Sequence, residues 1–227
     1  MSKNTPKNGH TSFATDACAS FIRRALPYLM GWLILLVSLS FFTATYDSAH
    51  VKLTLLHIGA VILLTLWAAL KITEHKNPFP RSIWPFLLPL FAYVAWQTLC
   101  FLCFSYKLEA AEEFIRLLMY SGISALIACE FTTRDIRTLT KFIVVSAWIS
   151  FVYGLVQVAA IWWPSVDFLP WHNFFAGRTF STHANPNFFG AFIVFTSALI
   201  GIEFLRTRYK RLLVLLGIGL VDLFFTE

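Results

Sequence analysis

The sequence has few charged residues, few glycines and no short internal repeat. Asp, Glu, Lys and Arg make up 13% of the 227 residues, against about 25% in soluble domains. Hydrophobic residues make up 58%, and the mean hydropathy is +0.68. A folded monomer of this size cannot hide so much apolar surface in one core, so a soluble domain is excluded, as are disordered, collagen-like and solenoid proteins. The remaining class is a polytopic helical membrane protein.

Cysteines are also scarce, and their arrangement does not favour a metal site. The four cysteines include a CxxC at Cys100 and Cys103, which lies in an apolar run without a nearby His or a second Cys pair. We therefore expect packing residues, no metal and no other cofactor. The net charge of +6 is spread between the apolar runs and does not gather on one face, so we expect membrane lipids and no nucleic acid as partners.

Apolar runs of membrane length recur along the chain. Six of them are close to the ~20 residues that a helix needs to cross a bilayer. They span residues 25–45, 51–70, 82–104, 112–130, 142–163 and 187–205. A seventh begins at Leu212 and gives roughly 22 Å of helix before Glu227, against a hydrocarbon core of ~30 Å. The sequence predicts an all-α, polytopic transmembrane helical bundle of about seven membrane segments, the last one incomplete.

The N-terminal segment differs from the rest of the chain. Residues 1–20 are polar, contain Pro6 and Gly9, and lack the apolar stretch of a signal peptide. We expect a disordered cytoplasmic leader over residues 1–20 and one transmembrane helical domain over residues 21–227.

The distribution of basic residues predicts the orientation in the membrane. Fourteen of the 18 Lys and Arg fall in one set of alternating connections, which the positive-inside rule places in the cytoplasm. The N-terminus is therefore expected to be cytoplasmic. The other connections, near residues 46–51, 105–111 and 164–186, are expected to face outward.

One helix is expected to carry charged residues at its outer end. Helical spacing brings Glu112 and Arg116 together at i, i+4, and an ion pair of this kind allows a helix to start at the membrane interface. The alternative is that Arg116 points into a polar cavity and binds an anionic group, since a guanidinium donates two hydrogen bonds to a phosphate at once. The sequence leaves both interpretations open.

The longest outward connection, residues 164–186, is rich in aromatic residues and prolines, and we expect it to lie along the membrane surface. Asn185 is a good N-cap and Pro186 a good first residue, so a helix is expected to begin there. Free N–H groups at such a helix start, with Arg178 and the hydroxyls of Ser181 and Thr182, would form an anion-binding corner.

Three other polar residues each have two candidate roles in the sequence. His183 is a candidate general base because its ordinary pKa is near neutral, although no carboxylate lies nearby in sequence, and a hydrogen-bonding loop residue is the alternative. Gln157 and Asp222 are expected to face other helices, where they either hold the bundle together or line a cavity.

The stretch Arg178-Thr-Phe-Ser-Thr-His-Ala-Asn-Pro-Asn-Phe-Phe-Gly resembles the O-antigen ligase and polymerase-like membrane proteins. Their motif is an Arg, a Ser/Thr-Thr pair, and an Asn-Pro-Asn that opens a membrane helix. The segment from Glu109 to Tyr120 looks like the acidic, Arg-containing helix of that family. The resemblance covers roughly residues 25–227, so the chain looks like the N-terminal part of such a domain.

The resemblance implies metal-independent, inverting glycosyl transfer at the outer face of the bacterial inner membrane. A glycan would pass from undecaprenyl diphosphate to a lipid A core, another glycan or a protein acceptor, in lipopolysaccharide or surface polysaccharide biosynthesis. The residues that the resemblance places on the diphosphate are Arg116, Arg178, Ser181, Thr182, Asn185 and Asn187.

The same resemblance limits the activity expected of this chain. In the family the base is a His in a later outward loop, which the 227 residues do not contain, and His183 does not occupy that position. We therefore expect the chain alone to be inactive. The alternative from the sequence is a non-catalytic membrane remnant, or a lipid-binding or transporter-like scaffold.

Overall fold

The structure, a computed structural model, describes residues 9–40, 48–74, 79–103, 107–163, 178–183 and 185–226. All the regular elements within these ranges are helical, and no strand occurs in them. The α-helices are α1 (Gly9–Leu39), α2 (Ser48–Glu74), α3 (Trp84–Cys103), α4 (Lys107–Glu130), α5 (Thr133–Trp162), α6 (Pro186–Thr207) and α7 (Lys210–Phe224). Two short 3-10 helices cover Arg81–Ile83 and Ser181–His183.

Five stretches of helix are long and apolar enough to cross a membrane. They are Ala17–Leu39, His50–Glu74, Arg81–Cys103, Thr133–Trp162 and Pro186–Thr207. The expected all-helical membrane fold is confirmed at this level, with five candidate spans instead of seven. Helix α4 is not among them because of its charged residues, and α7 has only 15 residues.

The surface of the described helices is suited to lipid. Large apolar side chains such as Trp96, Phe195 and Phe224 are exposed, which would be unusual in a soluble monomer.

The predicted leader overlaps the first helix. Helix α1 begins at Gly9, so residues 9–20 are helical, and no Pro or Gly interrupts residues 10–20. Residues 1–8 of the predicted leader lie outside the described residues.

The chain divides into two compact units. The first unit comprises residues 1–30 and 57–136, and the second comprises residues 31–56 and 137–227. In the first unit, α3 packs along α4, and Gly122 of α4 lets the side chain of Leu64 approach closely.

A cluster of charged residues holds three helices of the first unit together. The carboxylate of Glu130 has only 3% of its side chain exposed and forms an ion pair with Lys71. Glu130 also accepts a hydrogen bond of 3.0 Å from the indole N–H of Trp67. Arg23 of α1 pairs with Glu74 at 2.7 Å and lies 3.6 Å from Glu130. The buried carboxylate is thus compensated by cations, as a buried charge must be.

The second unit has an apolar core formed by α5, α6 and α7. Its buried members are Ala147, Phe151, Phe189, Ile193, Ile200, Leu212 and Leu215. Helix α6 ends at Thr207 and is capped by Arg208, whose φ of 59° lies in the left-handed region and whose N–H donates to the carbonyl of Phe204 at 2.7 Å. This C-terminal turn lets α7 fold back along α6.

Candidate functional site

Part of the described segment between α5 and α6 is covered by protein. Thr179, Phe180 and Ser181 are buried, with at most 3% of each residue exposed. The position of this connection relative to the membrane surface stays a prediction. Non-helical backbone away from water needs hydrogen-bond partners, and α5 and α7 supply them here. Residues 164–177 lie outside the described residues.

Gln157 of α5 anchors this buried segment. Its side-chain oxygen accepts the backbone N–H groups of Phe180, at 3.1 Å, and of Ser181, at 2.7 Å. Of the two roles expected for Gln157, the structure supports the first, which is to hold elements of the bundle together. The amide nitrogen of Gln157 is buried and has no hydrogen-bond partner among the described residues.

Ser181 and Thr182 direct their hydroxyls toward the protein. The Ser181 hydroxyl donates to the carbonyl of Ser150 at 2.6 Å, and the Thr182 hydroxyl donates to the carbonyl of Ser38 at 2.9 Å. Ser181 has a φ of 47°, in the left-handed region that disfavours residues other than glycine. The two hydroxyls predicted to bind an anion thus serve to hold the segment in an unusual backbone conformation.

Arg178 caps the C-terminal end of α7. Its Nε donates to the carbonyl oxygen of Thr226 at 2.8 Å, and its Nη2 donates to the same oxygen. The backbone N–H of Thr179 donates to the carbonyl of Phe225 at 2.9 Å. A cation at this position is favourable because the carbonyls at the end of a helix carry partial negative charge. Sequence reasoning missed this role, since the partners lie 48 residues apart.

The Asn-Pro-Asn element opens α6 as predicted. Asn185 is the N-cap, its side-chain oxygen accepts the backbone N–H of Asn187 at 2.8 Å, and Pro186 is the first helical residue. The side-chain oxygen of Asn187 accepts a hydrogen bond from Nη2 of Arg178 at 3.2 Å. The structure therefore brings Arg178, Asn185 and Asn187 together, whereas the hydroxyls of Ser181 and Thr182 are used elsewhere.

His183 lies in an aromatic pocket. Its ring is 5.5 Å from the ring of Phe189 and 4.3 Å from that of Phe192, between centroids. Burial lowers the pKa of His183 to about 3, and the positive charge of Lys52 acts in the same direction. Its Nδ1 is buried and has no hydrogen-bond partner among the described residues. An imidazole with this pKa is a weak base at neutral pH, so His183 fits a general base poorly.

Asp222 of α7 is fully buried against α5. Its carboxylate packs on Gly154, where an added Cβ would lie 2.8 Å from the carboxylate atoms. Neither carboxylate oxygen has a hydrogen-bond partner among the described residues. The sequence left open whether Asp222 joins helices or lines a cavity, and here it packs at the contact between α5 and α7.

Arg116 belongs to the first unit, and its partner differs from the one expected. Its Nη1 donates to both carboxylate oxygens of Glu113, at 2.9 and 3.1 Å, and no ion pair joins it to Glu112 among the described residues. On a helix a side chain can reach the residue three positions away and the residue four positions away, and here Arg116 pairs with the acid three positions away. Arg116 also lines a cavity of about 610 Å³ between α3 and α4. The expected pair with Glu112 is thus replaced by a pair with Glu113, and binding of an anionic group by Arg116 stays a prediction.

Potential metal ligands are dispersed in the part of the chain that the structure describes. No three His, Cys, Asp or Glu residues lie together there. Cys100 and Cys103 are exposed free thiols. Comparison of the chain with protein-family models, with curated proteins and with solved structures gives no match.

Proposed function

We propose that the chain acts in glycosyl transfer as an O-antigen ligase-like membrane protein. It would lie in a bacterial inner membrane with its N-terminus in the cytoplasm and bind an undecaprenyl diphosphate-linked glycan at the outer face. The glycan would pass to a lipid A core, another glycan or a protein. The observation that carries the proposal is the Arg178 to Asn187 motif, whose Arg and second Asn contact each other at the start of a helix.

The corner formed by Arg178, Asn185 and Asn187 offers what a diphosphate needs. Nη1 of Arg178 makes no hydrogen bond to any described residue, and the N-terminus of α6 adds partial positive charge beside it. Bonds from a guanidinium to phosphate oxygens strengthen as negative charge develops on them. Arg178 would therefore stabilise the diphosphate as it leaves the sugar.

The neighbouring polar residues act in this proposal as positioning residues. Gln157 fixes the backbone of Phe180 and Ser181, and this bond places the segment that carries Arg178. His183 is not proposed as the base, because its lowered pKa keeps its basicity small. The proposal for this chain is thus limited to donor binding and leaving-group stabilisation.

The test is substitution of Arg178 in the protein as the cell makes it, with surface glycan attachment as the readout. Arg178→Gln should abolish attachment, and Arg178→Lys should retain part of it, because a lysine keeps the charge without the planar fork. Arg24→Gln is the matched control, since Arg24 is exposed on α1. Normal attachment by Arg178→Gln protein, present in the membrane at the normal level, would overturn the proposal.

A second candidate is a lipid-binding scaffold without catalysis. The observation that favours it is the cavity between α3 and α4, because it combines aromatic walls with one guanidinium. Glycan attachment that is lost with Arg178→Gln and partly retained with Arg178→Lys argues against this candidate.

A further inference from the structure

Lys52 is a charged residue near the start of α2, in a stretch apolar enough to cross a membrane. An ionisable side chain in such a stretch is costly, and a lysine near a helix end usually extends its ammonium toward water at the interface. Here the ammonium turns toward the protein instead. Its Nζ donates to the carbonyl of Val37 at 2.9 Å and to that of Ser38 at 3.0 Å. The side chain of Lys52 therefore ties α2 to the last turn of α1.

The carbonyl of Ser38 joins Lys52 to the segment that precedes α6. The last carbonyls of a helix have no partner within the helix, so a cation beside them is favourable. The Ser38 carbonyl also accepts the hydroxyl of Thr182 at 2.9 Å, and a carbonyl oxygen has two lone pairs for two such donors. Lys52 and Thr182 thus share one acceptor.

Thr182 is held from the opposite side by α5. Its hydroxyl oxygen lies 3.2 Å from that of Ser150, and the hydroxyl of Ser181 donates to the Ser150 carbonyl at 2.6 Å. Ser181 has a φ of 47°, and a conformation of this kind persists only where the surroundings hold it. The backbone of this segment therefore depends on hydrogen bonds to α5 on one side and to α1 on the other.

The charge of Lys52 also reaches the residue after Thr182. Burial lowers the pKa of His183 to about 3, and the positive charge of Lys52 acts in the same direction. Lys52, Ser38 and the segment all belong to the second unit. Lys52 therefore lies beside the segment as well as sharing an acceptor with it.

We propose that Lys52 is a positioning residue for Arg178. Lys52 fixes the carbonyl of Ser38, this carbonyl holds Thr182, and Thr182 holds the segment that carries Arg178. Lys52 does not contact the diphosphate in this proposal. Its effect on diphosphate binding rests on the proposed function, whereas its effect on the segment does not. The alternative is that Lys52 only completes the last turn of α1, and then its loss would not reach the segment.

Hydrogen exchange of the backbone N–H groups of the segment distinguishes these roles. Peptides covering residues 178–183 are followed by mass spectrometry in the purified protein, with residues 192–204 of α6 as the internal reference. Lys52→Met removes the ammonium and keeps most of the apolar stem. Exchange over residues 178–183 should become about tenfold faster, the effect of ~1.4 kcal/mol, while the reference stays unchanged.

Lys141→Met is the matched control for this measurement, because Lys141 is exposed on α5 of the same unit. It should leave exchange over residues 178–183 unchanged. Unaltered exchange of the segment in Lys52→Met protein would overturn the proposal. Equal acceleration in the segment and in the α6 reference would also overturn it, since Lys52 would then contribute only to overall stability.

Two further variants keep the test decisive if Lys52→Met protein does not fold. Lys52→Arg retains donors for both carbonyls and should keep the wild-type exchange of the segment. Thr182→Val removes the hydroxyl that reaches Ser38 and should accelerate exchange to a similar extent as Lys52→Met. Because both residues act through one carbonyl, the double variant should exchange no faster than the faster single variant. Effects that multiply in the double variant, or no acceleration with Thr182→Val, would overturn the proposal.

Binding of undecaprenyl diphosphate separates this inference from the proposed function. Lys52→Met should weaken binding several-fold, because Arg178 is no longer held in place. If Lys52→Met accelerates exchange but Arg178→Gln protein binds normally, the proposed function fails and the role of Lys52 in holding the segment stands. If Arg178→Gln loses binding while Lys52→Met leaves exchange or binding unchanged, the inference fails and the proposed function stands.

Discussion

Replacement of Gln157 by leucine tests whether one side chain holds the buried segment between α5 and α6. Leucine has a similar size but offers no acceptor to the backbone N–H groups of Phe180 and Ser181, which Gln157 now binds at 3.1 and 2.7 Å. Gln157 itself has 2% of its surface exposed, so water does not reach the vacated position freely.

The expected loss of stability follows from the two buried donors. Each unpaired N–H costs about 1–3 kcal/mol, and rearrangement of the segment recovers part of this cost. We therefore expect Gln157→Leu to lower the free energy of unfolding by about 2–4 kcal/mol. The buried amide nitrogen of Gln157, which has no partner among the described residues, is lost as well and slightly reduces the effect.

Unfolding of the purified chain by SDS, followed by tryptophan fluorescence, measures this difference. Gln97→Leu is the matched control, because Gln97 is half-buried in α3 and the same chemical change there removes no backbone hydrogen bond among the described residues. If Gln157→Leu lowers the free energy of unfolding no more than Gln97→Leu does, the reasoning is refuted.

Three further predictions concern stability. Gly154→Ala should destabilise the chain by about 1–3 kcal/mol because its Cβ would meet the carboxylate of Asp222, whereas Gly217→Ala, with open space around its Cβ, should be neutral or stabilising in the same SDS titration. Glu130→Gln should lower the free energy of unfolding by about 2–4 kcal/mol, because it leaves the ion cluster of the first unit without its buried carboxylate. A decrease below ~0.5 kcal/mol would contradict this role of Glu130. The pKa of His183 is about 3 in the folded chain and near 6.5 when unfolded, so the unfolded state binds the proton first and stability falls as pH drops from about 6.5 toward 3. Protonation of His183 thus changes the free energy of unfolding with a slope approaching 1.4 kcal/mol per pH unit, and this change should be absent from His183→Gln protein. If the free energy of unfolding changes equally with pH in the two proteins, the lowered pKa is contradicted.

The apolar runs of the sequence predicted the helices because a membrane helix can be recognised from the length and apolarity of one continuous run of residues. The run predicted over residues 187–205 corresponds to α6, and its start at Asn185 and Pro186 follows from the chemistry of two adjacent residues. Orientation in the membrane stays a prediction, since it depends on charges whose side of the bilayer the fold does not identify.

Contacts between distant residues explain what the sequence did not reveal. Gln157 and Ser181 are 24 residues apart, and Arg178 and Thr226 are 48 apart, so neither pairing has a local signature. One signal was available: Gln157 lies on the same face of α5 as Ser150, seven residues earlier, which marks a polar stripe on an apolar helix. The partner of Arg116 was ambiguous for another reason, because i, i+3 and i, i+4 acids are both within its reach.

Binding of undecaprenyl diphosphate to purified protein tests the central claim most directly. The measurement compares Arg178→Gln with Arg24→Gln, each in a chain that also carries Arg116→Gln so that the cavity between α3 and α4 does not contribute. The account predicts that Arg178→Gln weakens binding about tenfold or more, as expected for loss of a charge-assisted hydrogen bond, and that Arg24→Gln leaves it unchanged. Equal affinities for the two folded proteins would contradict the claim that Arg178 binds the diphosphate.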